Sequence, residues 1–273
     1  MQTSGPRLWH CLTLALMTVA CGTGEEAAPP APDELAPTGV LRVAVGVGTA
    51  TSAFWATPDE STGLPRGVTV DLGQALGARA ALPVELIVYP NSGSITEAGP
   101  SGEWDVTFMP VDQARAQVVD FGPAYYLSDS AILVPEGSAA NTLADVNQEG
   151  VRVAAIQGTT TGRAAAALLT EATMVYYDEV AVMLDDVRAG LADAVALGRE
   201  SVLSLVPEVP GSRVLEEGYN ETGVAVAVPK GHAQALAYVT AFIEEAKTSG
   251  VVRSALEDAG LRDTEPAPPM IPR

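Results

Sequence analysis

From residue 39 onward, short apolar runs alternate with segments of helical periodicity. The runs are Val-rich and nearly continuous, which is typical of strands buried on both faces. The clearest helical pattern is Ala233–Ser249, in which Leu236, Val239 and Phe242 lie on one stripe. Alternating strands and helices predict an α/β fold with largely parallel sheets, and no internal sequence repeat is evident. The predicted strands are Leu41–Val45, Val84–Val88, Asp105–Met109, Val151–Ile156, Met174–Tyr177, Asp193–Leu197 and Val224–Val228, and the predicted helices are Asp71–Ala80, Asp112–Val118, Thr160–Leu169, Val180–Ala189 and Ala233–Ser249.

The first 20 residues follow a different pattern. An apolar run from Leu8 to Ala20 comes after a short segment whose one charged side chain is Arg7. The run is shorter than the roughly 20 residues that a permanent membrane helix needs, so it predicts a secretory signal peptide over residues 1–20. Cys21 follows small residues and resembles the cysteine of a bacterial lipobox, which is lipidated and anchors the mature protein to a membrane. The alternative is ordinary signal-peptidase cleavage beside an unmodified cysteine.

Two segments flanking the body lack periodicity. Residues 21–38 are rich in Pro, Ala and Glu, which predicts a lipidated Cys21 followed by a disordered tether. Residues 263–273 are rich in Pro and are predicted to form a disordered tail.

Charge and residue usage exclude several classes of function. The chain has 15 Lys and Arg against 34 Asp and Glu, a formal charge of -19. Such a surface repels phosphate backbones and anionic lipids, so we expect no nucleic-acid partner and membrane contact only through the N-terminal lipid. After signal removal His232 is the one histidine and Cys21 the one cysteine. We therefore expect no metal site of the Cys and His type and no cofactor.

Gly158, Thr159 and Thr160 follow a predicted strand and open a predicted helix. Free N–H groups and the helix dipole converge at such a place, which favours an anion site. The alternative is plain N-capping by a threonine. The segment beginning at Gly46 matches the dinucleotide fingerprint poorly, because Thr51 stands at the third glycine position.

Taken in order, the motifs resemble one known family. The order and spacing carry the resemblance, which extends from about Gly39 to Leu261. On these motifs the chain resembles the bacterial extracellular solute-binding proteins of family 3, the amino-acid receptors of ABC importers. The motifs are Gly39–Val43, Gly67–Leu72, Trp104–Met109 followed by Arg115, Val119–Tyr126, Val153–Thr160 and Gly190–Val195.

The resemblance implies a two-lobed periplasmic-binding-protein-like fold of type II, with a ligand cleft between the lobes and two hinge crossovers. The crossovers are expected near Tyr126–Ser130 and Tyr219–Ala225. Lobe 1 is then residues 39–127 plus 219–262, and lobe 2 is residues 128–218.

The resemblance also implies binding residues. Arg115 matches the arginine that grips the ligand carboxylate, for which a planar guanidinium is well suited. Gly158, Thr159 and Thr160 match the lobe 2 segment that meets the same carboxylate. Phe54 and Trp55 fall near the aromatic segment that packs against the ligand. The alternatives are a solvent-facing arginine at position 115 and a core or loop role for the two aromatic residues.

This sequence departs from the family pattern at several of these positions. Gly198 stands where an aspartate generally receives the ligand ammonium, Pro110 replaces a Ser or Thr, and Asp112 replaces a Thr. Arg199 either adds a second cation to the cleft or starts a helix paired with Glu200. The pattern predicts a small polar solute that bears a carboxylate or another anion, and it argues against an ordinary α-amino acid.

The expected function is that of a non-enzymatic, monomeric, lipid-anchored extracytoplasmic receptor that delivers the solute to an ABC permease. One alternative is an enzyme of the prephenate dehydratase type on the same fold, with Glu200 or Asp112 as the acid. Another is a sensory binding module without a transporter.

Overall fold

The computed structural model describes residues 30–47, 52–262 and 264–270. The predicted signal peptide, Cys21 and the first part of the predicted tether lie outside the described residues, as does Thr51. Within the described part, no helix has both the length and the apolar character that crossing a bilayer requires.

The described residues form a mixed α/β structure. Four single turns of 3-10 helix, at Asp33–Leu35, Gly99–Ser101, Arg115–Gln117 and Val206–Glu208, accompany the regular elements. The strands are β1 (Leu41–Gly46), β2 (Thr57–Pro58), β3 (Pro65–Arg66), β4 (Val84–Tyr89), β5 (Val106–Pro110), β6 (Val119–Val134), β7 (Arg152–Ile156), β8 (Thr173–Tyr177), β9 (Ala194–Gly198), β10 (Arg213–Val214) and β11 (Asn220–Pro229). The helices are α1 (Val68–Ala80), α2 (Ser92–Ala98), α3 (Leu143–Val146), α4 (Thr160–Leu168), α5 (Val180–Arg188), α6 (Arg199–Leu205), α7 (Ala233–Ser249) and α8 (Val251–Asp258).

One sheet runs through the whole body in the order β4-β1-β5-β11-β6-β9-β7-β8, with β10 paired to β6. At one end β1 pairs in parallel with β4 and β5, and at the other β7 pairs in parallel with β8 and β9. The long antiparallel strands β6 and β11 join the two parallel groups. The predicted two-lobed α/β fold is confirmed. Lobe 1 denotes below the part built on β1, β4 and β5, and lobe 2 the part built on β7, β8 and β9, while the predicted residue boundaries stay a prediction.

Helices cover both faces of each parallel group. In β1, Val43 packs into one core and Ala44 into another, and in β7, Val153 and Ala154 do the same. Successive side chains of a strand point to opposite faces, so strands buried on both sides need apolar residues at nearly every position. This is why short continuous apolar runs predicted the parallel strands well.

The longest strand, β6, was not predicted from the apolar pattern. Its 16 residues include Gly122, Pro123 and three polar positions, Ser128 to Ser130, which interrupt the pattern. The register between β6 and β11 shifts beside Pro123, where Ala225 pairs with Ala124 and Ala227 with Phe121. Proline lacks a backbone N–H and is tolerated in a sheet at such irregularities. The strand therefore survives a residue that, in the sequence, indicates a break.

The predicted helix Asp112–Val118 is wrong in extent, because only the single turn Arg115–Gln117 forms there. β6 begins at Val119, so too few residues remain for a full helix. The short helices α2, α3, α6 and α8 were not predicted, since each is too brief to show a helical period.

The end of the predicted tether is ordered against lobe 1. Leu35 is fully buried, and the Glu34 carboxylate accepts hydrogen bonds from the backbone N–H groups of Gln234 (2.8 Å) and Ala235 (3.4 Å). His232, at the start of α7, provides no side-chain cap, so Glu34 satisfies N–H groups that the helix cannot pair internally. The disordered tether is thus wrong for the residues next to the body.

The predicted disordered tail also contacts the body. Residues 264–270 have no regular secondary structure, but Ala267 is buried and its N–H donates to the Tyr125 carbonyl at 2.8 Å. The Lys247 ammonium donates to the Pro268 carbonyl at 3.1 Å. Proline-rich composition excluded helix and strand here, but it did not exclude packing in an extended form.

Candidate functional site

A cavity of about 100 Å³ lies between the two lobes. It sits where strands of both lobes end: Gly46 closes β1, Pro110 closes β5, Ile156 closes β7 and Gly198 closes β9, and all four line it. Ligand sites of open α/β sheets form at the carboxyl ends of the strands, so this is the place expected for a solute.

Apolar surface and hydroxyl groups make up the cavity wall. None of the described residues that line it has a charged side chain. Such a wall can pack against an apolar group and hydrogen-bond to a neutral polar one, but it offers no counter-ion. The hydroxyl-bearing residues are Thr69, Ser92, Ser128, Ser130, Thr159, Thr160, Thr161, Ser201 and Thr222, and the larger apolar ones are Trp55, Ile95, Phe108, Ile156, Val180 and Leu197.

Arg115 is fully buried behind this wall rather than on it. Its Nη1 donates to the Pro110 carbonyl at 3.1 Å, and its Nη2 donates to the Ser92 hydroxyl at 2.7 Å and to the Gly158 carbonyl at 3.5 Å. Its Nε has no hydrogen-bond partner. Burial lowers the pKa of the guanidinium to about 9. The alternative of a solvent-facing arginine is therefore wrong, and Arg115 connects lobe 1 to lobe 2.

Asp112 lies next to Arg115 and contacts both lobes. Its carboxylate accepts hydrogen bonds from the Arg115 backbone N–H at 2.8 Å and from the Thr160 hydroxyl at 2.6 Å. The Arg163 guanidinium donates to the same oxygen as Thr160, and the Arg115 Nε lies 3.9 Å from it. An aspartate from lobe 1 is thereby bound by a hydroxyl and a guanidinium of lobe 2.

The predicted segment Gly158–Thr160 reaches the cleft. Thr159 caps α4, because its hydroxyl accepts from the Gly162 N–H at 3.2 Å, and both Thr159 and Thr160 line the cavity. Gly158 has φ +69, and a Cβ there would lie 3.2 Å from the Cα of Gly93 in lobe 1. The capping alternative is confirmed, and the segment also forms the point at which the lobes touch.

Phe54 and Trp55 have different environments. Phe54 is fully buried, with its ring centroid 4.6 Å from that of Trp55, 4.7 Å from that of Tyr126 and 6.3 Å from that of Tyr125. Trp55 lines the cavity, whereas Phe54 does not. The core role applies to Phe54, and Trp55 is the aromatic residue in a position to meet a solute.

Arg199 does not line the cavity. Its guanidinium donates to the carbonyls of Leu215 (3.4 Å) and Glu216 (3.1 Å), and its Nε lies 3.6 Å from a carboxylate oxygen of Asp129. It begins α6, as the alternative anticipated, but its ionic partner is Asp129 rather than Glu200.

Two groups near the cleft were not identified from the sequence. The Glu200 carboxylate accepts hydrogen bonds from the Tyr126 hydroxyl and, at 3.1 Å, from the Ser128 hydroxyl. Burial and this contact with Glu200 raise the pKa of Tyr126 above its ordinary value. The Asn91 side chain donates to the Asp178 carbonyl across the cleft at 2.9 Å and caps α2. Asn91 directly follows a predicted strand, and this cap position was the available signal.

Comparisons with known proteins agree with this architecture. Two curated glutamine-binding proteins match: that of Geobacillus stearothermophilus is 23% identical over 132 residues, 48% of this chain and 50% of that protein. The ABC transporter glutamine-binding protein of Bacillus subtilis (strain 168) is 21% identical over 145 residues, 53% of each chain. The chain therefore spans about half the length of these relatives.

A solved structure matches over more of the chain. It is that of an ancestral amino acid-binding protein, a precursor of cyclohexadienyl dehydratase, with 25% identity and a TM-score of 0.72, covering 83% of this chain and 97% of that one. The family of bacterial extracellular solute-binding proteins, family 3, matches residues 43–258. This match spans both lobes and the cleft between them, and the chain belongs to the bacterial extracellular solute-binding proteins, family 3.

Proposed function

We propose that this protein is an extracytoplasmic, lipid-anchored, monomeric receptor that binds a small polar solute and delivers it to the permease of an ABC importer. The observation that carries the proposal is a cavity lined by hydroxyl groups at the junction of two lobes, in a chain of a solute-binding family. The matched relatives are named for glutamine binding, so amino acids and their derivatives are the first solutes to test.

Closure of the lobes is the proposed binding mechanism. The cross-cleft contacts described above involve a few polar groups: Arg115 to Gly158, Asn91 to Asp178, and Asp112 to Thr160 and Arg163. The lobes are otherwise joined by β6 and β11. A solute that touches both walls favours the closed state by its greater affinity for that state.

We propose a receptor rather than an enzyme. A general acid must lie within hydrogen-bond reach of the reacting atoms. Among the described residues, Glu200 and Asp112 do not line the cavity, and their oxygens already accept hydrogen bonds from protein groups. The proposal therefore assigns the cavity to binding alone.

The resemblance adds a finer prediction, that the solute carries a carboxylate held near Arg115. A test of solute class should therefore pair each carboxylate with its amide. We would identify co-purifying small molecules by mass spectrometry and measure binding by calorimetry, using glutamine, arginine and other amino acids alongside their α-amides, together with uncharged amides and polyols.

We expect one compound class to bind with one-to-one stoichiometry and a dissociation constant in the micromolar range or below. Trp55→Ala should weaken that binding about ten-fold, the loss expected when a buried aromatic contact is removed. Tyr176→Ala is the matched control, because Tyr176 is exposed on β8 outside the cavity wall. The absence of any co-purifying solute, with no panel member binding more tightly than millimolar, would contradict the proposal.

A further inference from the structure

The cations beside the cavity already have an anionic partner inside the protein. Arg115 and Arg163 flank Thr160, and the carboxylate between them belongs to Asp112. The side chain of Asp112 is 14% exposed, so solvent screens these contacts only in part. The arginines and the Thr160 hydroxyl therefore face a carboxylate that the chain itself supplies.

The remaining donors on Arg115 are also occupied. Both Nη atoms donate to protein oxygens, and the Nε, which has no hydrogen-bond partner, lies 3.9 Å from the Asp112 carboxylate. A solute carboxylate would have to replace these acceptors and displace Asp112. It would also approach a like charge in a partly desolvated place, which raises its free energy.

We propose that Asp112 is an internal substitute for a solute carboxylate: it fills the anion-binding corner formed by Arg115, Thr160 and Arg163, and so makes the receptor selective for uncharged polar solutes. The inference rests on the proposed function and narrows its solute class to molecules that bear amide or hydroxyl groups and no carboxylate. The uncharged wall of the cavity, with its nine hydroxyl groups, fits that class.

The inference assigns Asp112 a second effect. Because its carboxylate is held by Thr160 and Arg163 of lobe 2, it joins the lobes across the same corner that a solute carboxylate would bridge. Its own chain keeps the hydrogen bond to the Arg115 N–H in place, so no solute is needed to complete the corner.

The decisive variant is Asp112→Thr. Threonine can still accept the hydrogen bond from the Arg115 N–H, but it removes the charge and frees space in the corner. We expect the affinity for a carboxylate, divided by the affinity for its amide, to rise about ten-fold or more over wild type, since charge-assisted hydrogen bonds are then available to the solute. Asp112→Asn is the volume-matched control that removes the charge but leaves the corner filled, and it should show a smaller rise.

A second measurement does not depend on which solute the receptor binds. Sodium formate should raise the unfolding temperature of Asp112→Thr more than sodium chloride at equal ionic strength, and formamide should not reproduce the effect, because only formate restores an anion to the corner. Wild type should show no formate-specific rise. Replacing Arg163 by Gln in the Asp112→Thr background should reduce the response without abolishing folding, since Arg163 is 39% exposed.

The outcomes separate the two proposals. If wild type binds carboxylates at least as tightly as it binds their amides, or if formate stabilises wild type and Asp112→Thr equally, the inference on Asp112 is wrong and the proposed receptor function stands. If formate rescues Asp112→Thr but no solute binds to either protein, the corner is as inferred and the receptor function is wrong. Should Asp112→Thr fail to fold, the same formate comparison on Asp112→Asn decides, with a formate-specific rise supporting the inference and none contradicting it.

Discussion

The two lobes contain the same structural device in different environments. In lobe 1, Arg42 of β1 binds Asp105, which directly precedes β5, and its Nη1 donates to the carbonyl of Gly102 at 2.7 Å. In lobe 2, Arg152 of β7 binds Asp193, which directly precedes β9, and its Nη2 donates to the carbonyl of Gly190 at 2.7 Å. Both arginines also donate their backbone N–H to the paired aspartate.

The shared geometry extends to the turns. Gly102 has φ +72 and Gly190 has φ +71, so each pair closes on a left-handed turn that glycine adopts without strain. The pairs differ in exposure: the Asp105 side chain is 4% exposed and that of Asp193 is 40% exposed. The comparison teaches that one motif, placed twice on one fold, contributes differently according to how far water reaches it.

The largest effect is expected from Asp105→Ala. Removing the buried partner leaves Arg42 with an uncompensated charge, and we expect a loss of about 3 kcal/mol in the free energy of unfolding. The described tryptophans, Trp55 and Trp104, both belong to lobe 1, so fluorescence during urea unfolding reports on the lobe that is changed. A loss well below 1 kcal/mol would show that burial does not distinguish the two pairs.

A smaller effect is expected from Asp193→Ala, because solvent screens an exposed pair. The shift in its urea midpoint should be about half that of Asp105→Ala or less. Circular dichroism should be recorded beside fluorescence, since the change lies in lobe 2. Equal shifts for the two variants would contradict the role given to exposure.

The smallest effect concerns acid. Hydrogen bonding from Arg152 lowers the pKa of Asp193 below its ordinary 3.8. A carboxyl whose pKa is lower in the folded than in the unfolded state contributes stability above the unfolded pKa, and it loses that contribution as the pH falls through the folded value. The difference in stability between wild type and Asp193→Asn should therefore be constant near neutral pH and shrink below pH 3.8. Thermal unfolding in a pH series measures it, and a difference that grows on acidification would reverse the assigned sign.

The sequence predicted those parts of the molecule that depend on local pattern. Buried parallel strands need apolar residues throughout, and the helix Ala233–Ser249 has the bounds that its periodicity predicted. The paired clamps were missed because Arg42 to Asp105 and Arg152 to Asp193 are separations of 63 and 41 residues. No local pattern marks such a pair until the turns bring its ends together.

The candidate site shows the same division. The sequence placed Thr159 and Thr160 at the cleft because a strand, a turn and a capped helix are local features. It did not show that Arg115 lies behind the cavity wall or that Arg199 turns to the carbonyls of Leu215 and Glu216, because those orientations depend on partners from other elements. The position of Asp112 between two arginines likewise arises only when the lobes meet.

The course of β11 has a consequence for the order in which the protein can form during synthesis. Strands β7, β8 and β9 and their partner β6 are all complete by residue 198. In lobe 1, however, β5 pairs with β11 through residues 224–227, so that sheet stays open until the ribosome has passed this point. The sheet that begins second in the chain can therefore close first, and the first lobe to be translated waits for a strand from almost the far end.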